Sequence, residues 1–326
     1  MTNRHLKGCA RLAMALTLLT AISASAAERR YFIVGDSYSD TGNFEALYRP
    51  NTAGPSVDGD TNWVDVLFAG HDIQPAWIAL NASEPPKDGR VINFAVARAT
   101  TGYQLTWRTG GWLLPDYAPN GMQWQFERMH RRYTFNPEDT LLIWGSVNDL
   151  VWGASTAPAS APARFIEEVR TPLPLGGMAP LVEQTATNLM ILVERGVKFG
   201  FGRILLLSTG GDTLSPLLDA DARTAYTRAA DSLESTLRER IDAAAARYPQ
   251  TRIELIDLST GIHDGIREFG LRDDIACNQD GQTCETPERY LRQDFVHPTA
   301  IGYCLVARTV HPFLEDNTLP EPRCDR

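Results

Sequence analysis

The sequence predicts an α/β protein: a three-layer α/β/α sandwich on a five-stranded, mostly parallel sheet. Three observations carry the prediction. Residues 31–34, 91–96, 141–144, 204–207 and 253–256 are short, mostly apolar runs with the length of strands buried on both faces. Helical patterns separate them, as in a parallel sheet covered on both sides. The segments richest in reactive polar residues follow three of the runs directly, where open α/β sheets place their binding crevice.

Ahead of the first run, Arg4, Lys7 and Arg11 form a basic start, residues 12–21 a short apolar stretch, and Ala24-Ser25-Ala26 a small-residue cleavage site. Residues 1–26 therefore read as a secretory signal peptide. The apolar stretch is short for a bilayer span, although an uncleaved N-terminal anchor is the alternative. No later run is long and apolar enough for a transmembrane helix, so stable membrane insertion is not expected. Export puts the protein in the periplasm or outside the cell. Residues 27–326 are expected to form one domain, being enough for a single large core.

The first run, 31–34, leads into Gly35-Asp36-Ser37-Tyr38-Ser39-Asp40-Thr41-Gly42-Asn43, a tight turn that presents a serine. The second, 91–96, leads into Ala97-Arg98-Ala99-Thr100. Tyr103, Trp107, Trp112, Tyr117 and Trp124 follow among glycines and prolines, either as a binding loop over the site or as a loop packed by its own aromatics. The third run, 141–144, leads into Gly145-Ser146-Val147-Asn148-Asp149. Residues 153–163 and 171–180 read as surface loops, and 181–193 as an amphipathic helix. Between the fourth and fifth runs, Tyr226, Ala229, Leu233, Leu237, Ile241, Ala244 and Tyr248 recur at helical spacing. Near the C-terminus, Asp294-Phe295-Val296-His297-Pro298-Thr299 precedes Ala300-Ile301-Gly302-Tyr303, the opening of a last helix.

Ser37, His297 and Asp294 supply the three parts of serine acyl-transfer chemistry. A serine hydroxyl needs a base within hydrogen-bond reach to become a nucleophile. A histidine three residues after an aspartate can take base and orienter from one short loop. Read alone, Ser37 is equally a helix N-cap. Asp257, Asp264 and Asp280 compete for the carboxylate role, and His263-Asp264 is a rival pair.

Taken together, the blocks resemble the GDSL, or SGNH, family of serine esterases and lipases. Ser37 matches its first block, Asn148 its third and His297 its last, over roughly residues 31–312. The resemblance implies the SGNH hydrolase fold, a triad of Ser37, Asp294 and His297, and an oxyanion hole formed by the Ser37 and Arg98 backbone N–H groups and the Asn148 side chain. No metal motif, phosphate loop or nicotinamide fingerprint appears in the sequence, so no cofactor and no metal are expected. Two blocks depart from the pattern. Arg98 stands where the family has a functional glycine, and Ser146 where it has the glycine of Gly-x-Asn-Asp. The Arg98 side chain is expected either to meet an anionic substrate group or to pair with a loop carboxylate such as Asp40. The stretch from Tyr290 to Asp294 is similar to the lecithinase and plant-lipase branch, with Arg292-Gln293 in place of its aromatic pair. The expected function is an exported serine hydrolase of carboxylic esters, of esterase, lipase or phospholipase type, acting on a small-molecule or lipid ester. The alternatives are an acyltransferase with the same triad and a non-catalytic binding protein on a decayed hydrolase scaffold.

Charge and cysteines bound the rest. Loss of Arg4, Lys7 and Arg11 leaves 28 of 31 basic residues against 40 acidic ones, a formal charge of −12. That balance argues against nucleic acid as a partner. Cys277, Cys284, Cys304 and Cys324 remain, an even number in an exported chain. The Asp280-Gly281 turn suits a Cys277–Cys284 bridge, leaving Cys304 for Cys324. A zinc site is the alternative, but no Cys-x-x-Cys pair is present.

Overall fold

The computed structural model describes residues 29–43, 62–75, 89–102, 121–154, 178–211, 214, 220–278 and 285–324. Among them, β1 (Tyr31–Gly35), β2 (Ile73–Pro75), β3 (Val91–Asn93), β4 (Thr140–Trp144), β5 (Arg203–Leu207) and β6 (Arg252–Ile256) form one parallel sheet in the order β2-β3-β1-β4-β5-β6. All five expected runs are strands. The sixth, β2, adds a short edge beside β3 and is too brief to give a sequence signal.

The register explains why the polar blocks converge. Tyr31 pairs with Val91 on one side and with Thr140 on the other, so β3, β1 and β4 run in step. From β1 the chain passes to the edge strand β2, returns to β3 beside β1, and then builds β4, β5 and β6 outward on the other side. Ligands bind at the carboxyl ends of the strands where the order reverses. Every residue of β1 and β4 is buried, as their continuous apolar sequences require. Each fully buried Leu or Ile contributes roughly 1.5–3 kcal/mol of transfer free energy.

Helices cover the two faces. The helices α2 (Met122–Arg132), α3 (Val147–Ala154), α4 (Met178–Phe199) and α5 (Ala220–Arg247) pack with one another. A second group joins α7 (Ala300–Leu314) to α1 (Trp63–Leu67) and α6 (Leu258–Phe269). Tyr226, Ala229, Leu233, Leu237, Ile241 and Ala244 are buried along α5, following the spacing in the sequence. No described helix is long and apolar enough to cross a membrane.

Three boundaries differ from expectation. The strand expected over 91–96 stops at Asn93, whose side chain accepts the Ala95 N–H (2.9 Å) and donates to Ser39 O (2.6 Å). That local bond turns the chain out of the sheet. The α4 helix begins at Met178, inside a stretch read as loop, because Pro180 is tolerated in a first turn. The α5 helix starts at Ala220, six residues before its first sequence marker.

After α6, β7 (Arg272–Ala276) pairs with β8 (Tyr290–Arg292) in a separate two-stranded ribbon that delivers the last polar block. Cys304 and Cys324 are bonded, tying the C-terminal segment to α7. Cys277 is also disulfide-bonded, and its expected partner Cys284 lies outside the described residues. So do the expected leader and residues 103–120 of the aromatic stretch.

Candidate active site

Ser37 occupies the turn after β1. Asp36 Oδ1 accepts the Tyr38 N–H at 3.1 Å and Ser39 N donates to Asp36 O at 3.1 Å, which closes the turn and turns the serine outward. The Ser37 N–H has no acceptor among the described residues. Gln125 clamps the end of β1 from α2, accepting the Gly35 N–H (3.0 Å) and donating to Gly35 O (2.8 Å).

His297 reaches this turn from a loop bent back on itself. Gln293 N donates to His297 O at 2.8 Å, and Thr299 N to Leu291 O at 2.9 Å. Thr299 caps α7 by accepting the Gly302 N–H, while its hydroxyl donates to Tyr290 O at 2.7 Å. A Cβ on Gly302 would lie 2.5 Å from Leu291 O, so only glycine lets α7 start this close to β8. Asp294 Oδ1 accepts the N–H groups of Val296 and His297, each at 2.7 Å.

These contacts bring three separate side chains into one line. Asp294 Oδ2 lies 2.9 Å from His297 Nδ1, and His297 Nε2 lies 2.9 Å from Ser37 Oγ. With Nδ1–H donating to the carboxylate, Nε2 carries the lone pair that faces the serine hydroxyl. Burial alone would raise the Asp294 pKa. The attraction of His297 and the three hydrogen bonds outweigh it and hold the carboxyl well below the ordinary range. Asp294 is thus ionised wherever His297 is neutral. The rival His263-Asp264 lies on α6, where Asp264 pairs with Arg267 at the surface.

The two departures from glycine carry an unexpected backbone. Arg98 has φ +68° and Ser146 φ +142°. Both are left in conformations that side chains rarely adopt. Asp40 links this region to the serine turn: Oδ1 accepts the N–H groups of Gly42 (2.9 Å) and Asn43 (2.6 Å), and Oδ2 accepts that of Ala97 (2.7 Å). Asp40, named as a possible partner for the Arg98 side chain, thus also holds the loop that bears Arg98. A Cβ on Gly145 would crowd Met122 Sδ at 2.6 Å and Asp36 Oδ2 at 3.3 Å, so a larger residue there requires the methionine to move.

Asn148 lies at the start of α3. Its amide donates to Ala99 O (3.0 Å) and, more weakly, toward Asp36 Oδ2 (3.4 Å). Asp149 next to it accepts the Thr101 N–H (3.0 Å) and hydroxyl (2.8 Å). Burial pushes the Asp36 pKa up to about 7; the Tyr38 N–H and the His297 charge oppose it, and the Asp149 charge adds to it. Burial likewise pushes Asp149 up to about 6, against the Thr101 bonds.

Sequence reasoning missed several supporting groups. Tyr38 is buried with its ring edge-on to His297, centroids 5.9 Å apart, and its hydroxyl donates to Val296 O at 3.2 Å. Trp144 packs on Tyr38 and donates to Ser208 O at 3.0 Å. Gln125 was legible in principle, as a polar residue on the buried face of an amphipathic helix beside Met122, Phe126 and Met129. Among the described residues no cluster of three His, Cys, Asp or Glu side chains could hold a metal ion.

No family model and no curated protein matches the chain. Solved structures do. A member of the lipolytic G-D-S-L family from Veillonella parvula is 13% identical, the match covering 89% of this chain and 98% of that one at a TM-score of 0.43. An acetylxylan esterase from Geobacillus stearothermophilus is 16% identical, covering 90% and 97%, also at 0.43. Likenesses this distant do not bear on the activity of the chain.

Proposed function

We propose that the protein hydrolyses carboxylic esters through an acyl-Ser37 intermediate. The observation that carries the reading is the unbroken line Asp294 Oδ2, His297 Nδ1, His297 Nε2, Ser37 Oγ, with 2.9 Å at each hydrogen bond. Ser37 Oγ attacks the ester carbonyl as His297 Nε2 takes its proton. The C–O bond to the alcohol breaks, and His297 returns the proton to the leaving oxygen. Water then enters by the same route, His297 accepting its proton, and the acid leaves with Ser37 restored.

The developing oxyanion needs donors. The Ser37 N–H, which has no acceptor among the described residues, is the first candidate. The Arg98 N–H is the second, its left-handed backbone reproducing the conformation a glycine gives without strain. The third is Asn148, whose 3.4 Å contact with Asp36 is weak enough for an oxyanion to displace.

The finer reading is an exported enzyme acting on lipophilic esters. The leader-like N-terminus supports export, and the residues from Tyr290 to Asp294 support the lipophilic substrate. Purified mature protein with p-nitrophenyl acetate and p-nitrophenyl butyrate tests the activity. Steady turnover, lost in Ser37→Ala with the fold unchanged by circular dichroism, is the expected result. Turnover by Ser37→Ala within a few-fold of the parent would overturn the assignment. Adding an alcohol acceptor separates hydrolase from acyltransferase, because a transferase yields the new ester in place of free acid.

A further inference from the structure

A second feature lies on the same rim as Ser37. Ala220, Arg223, Thr224, Thr227 and Arg228 line an open cavity of about 610 Å³ along the first turns of α5. That volume suits part of a small-molecule ligand. Positions 223, 224, 227 and 228 share one face of the helix, while Ala222, Tyr226 and Ala229 are buried on another.

Its charge runs against that of the chain, which is −9 overall. Neither Arg223 nor Arg228 makes an ion pair among the described residues. Asp221 and Asp231 lie within a turn of them on α5 without pairing to either. The Thr224 hydroxyl donates to Ala220 O at 2.7 Å, so its oxygen keeps acceptor capacity only, and Thr227 adds a second hydroxyl.

The cavity is also close to the chemistry. The α5 helix begins beyond the carboxyl end of β5, on the rim where Ser37 sits. Tyr226 and Asp36, the neighbour of Ser37, interact electrostatically. Arg223 precedes Tyr226 by one helical turn and is therefore nearer the rim. It also lies close enough to the buried Arg292, at the end of the strand leading to Asp294, for the two positive charges to repel.

We propose that this cavity is an anion subsite, in which Arg223 and Arg228 hold a carboxylate or phosphate carried by the ester substrate. Resting on the ester-hydrolase reading, it adds a substrate class: esters with a negative group several bonds from the scissile carbonyl. At i and i+5 the two arginines stand about 140° apart around the helix and line the cavity from its two edges, each guanidinium offering planar, multi-donor recognition that suits either oxyanion. The anion on the acyl arm and the anion on the alcohol arm are the two possible sources.

Matched substrate pairs decide it. Mono-p-nitrophenyl succinate against p-nitrophenyl butyrate places a carboxylate on the acyl arm. 1-Butyrylglycerol 3-phosphate against 1-butyrylglycerol places a phosphate on the alcohol arm. Arg223→Gln/Arg228→Gln should raise KM for one anionic member by roughly 10- to 100-fold, with kcat and the neutral partner changed by less than about two-fold. The pair that responds names the arm. Arg223→Lys/Arg228→Lys should recover part of the loss. Equal changes within both pairs, or none, would overturn the subsite. Calorimetry of inorganic phosphate and of succinate with the unsubstituted protein keeps the two readings separable. If no ester is turned over, the hydrolase reading fails. Anion binding that disappears in the double Gln variant then still supports the cavity, and absence of binding overturns it.

Discussion

Arg98 and Ser146 share a backbone state that their residue types rarely adopt, with φ +68° at one and +142° at the other. They stand beyond the carboxyl ends of β3 and β4, the two strands that flank β1 and its serine. Both occupy positions where the resembling family carries glycine. At both positions a side chain sits on a backbone conformation that favours glycine. Strain of this kind persists where the surrounding structure fixes it, and here Asp40 and the start of α3 do so.

The strain is measurable. Arg98→Gly and Arg98→Ala lose the same side-chain contacts, but only glycine relaxes the backbone. The Gly variant should be more stable than the Ala variant by on the order of 1 kcal/mol, and Ser146→Gly should exceed Ser146→Ala similarly. Urea unfolding of the four variants checks this. Equal or higher stability for the Ala variants would show that the positive φ is not held in solution. Arg98→Gly should also keep activity on neutral esters, since the N–H at position 98 survives.

Asp36 ties stability to pH. Its folded pKa of about 7 lies above the ordinary carboxyl value of 3.8, so the folded state holds the proton more tightly. Stability from this group is full below pH 3.8 and declines as pH rises through 7. The total is on the order of 4 kcal/mol at full burial. Asp36→Asn cannot ionise and keeps an acceptor for the Tyr38 N–H. Its denaturant midpoint should fall less between pH 5 and 8 than that of the parent protein. Parallel curves would mean that Asp36 does not titrate as its burial requires.

Asp294 has the opposite character. Asp294 is ionised across the working range, fixing the Nδ1–H tautomer of His297. Asp294→Asn should lower kcat by up to about 10⁴-fold while leaving KM close to its original value. In the parent enzyme, activity should fall at acid pH as His297 takes up the proton that Ser37 would give it. His297→Ala should abolish that acid limb along with most of the turnover. A pH-independent rate in the parent enzyme would exclude His297 as the base.

The Cys304–Cys324 bond closes a segment of sequence separation 20. Cys324→Ser should cost roughly 2–4 kcal/mol, read from chemical unfolding. The serine–histidine geometry should remain, because α7 is capped independently by Thr299. No change in the midpoint would show that the C-terminal segment adds nothing to stability.

The sequence made the strand runs legible because β1 and β4 are buried on both faces and admit almost nothing but apolar residues. The juxtaposition of Ser37, His297 and Asp294 was legible because the acyl-transfer chemistry proposed for them needs those residue types in compact blocks. Support supplied from afar was harder to read. Gln125 bonds to Gly35 across 90 residues and Tyr38 to Val296 across 258, and such pairings leave no local pattern. The end of β3 was misplaced because Asn93 spends its side chain on the turn, which hydrophobicity does not report. Arg223 and Arg228 look like the solvated face of a helix until the missing ion pairs and the cavity are seen together.

The central claim is that Ser37 is a nucleophile activated by His297. Reaction with a fluorophosphonate, followed by peptide mapping, tests it most directly and without knowledge of the natural ester. The account predicts one adduct per chain, on the peptide containing Ser37, absent in Ser37→Ala and strongly slowed in His297→Ala. A folded protein left unmodified, or one labelled equally well after Ser37→Ala, would contradict it.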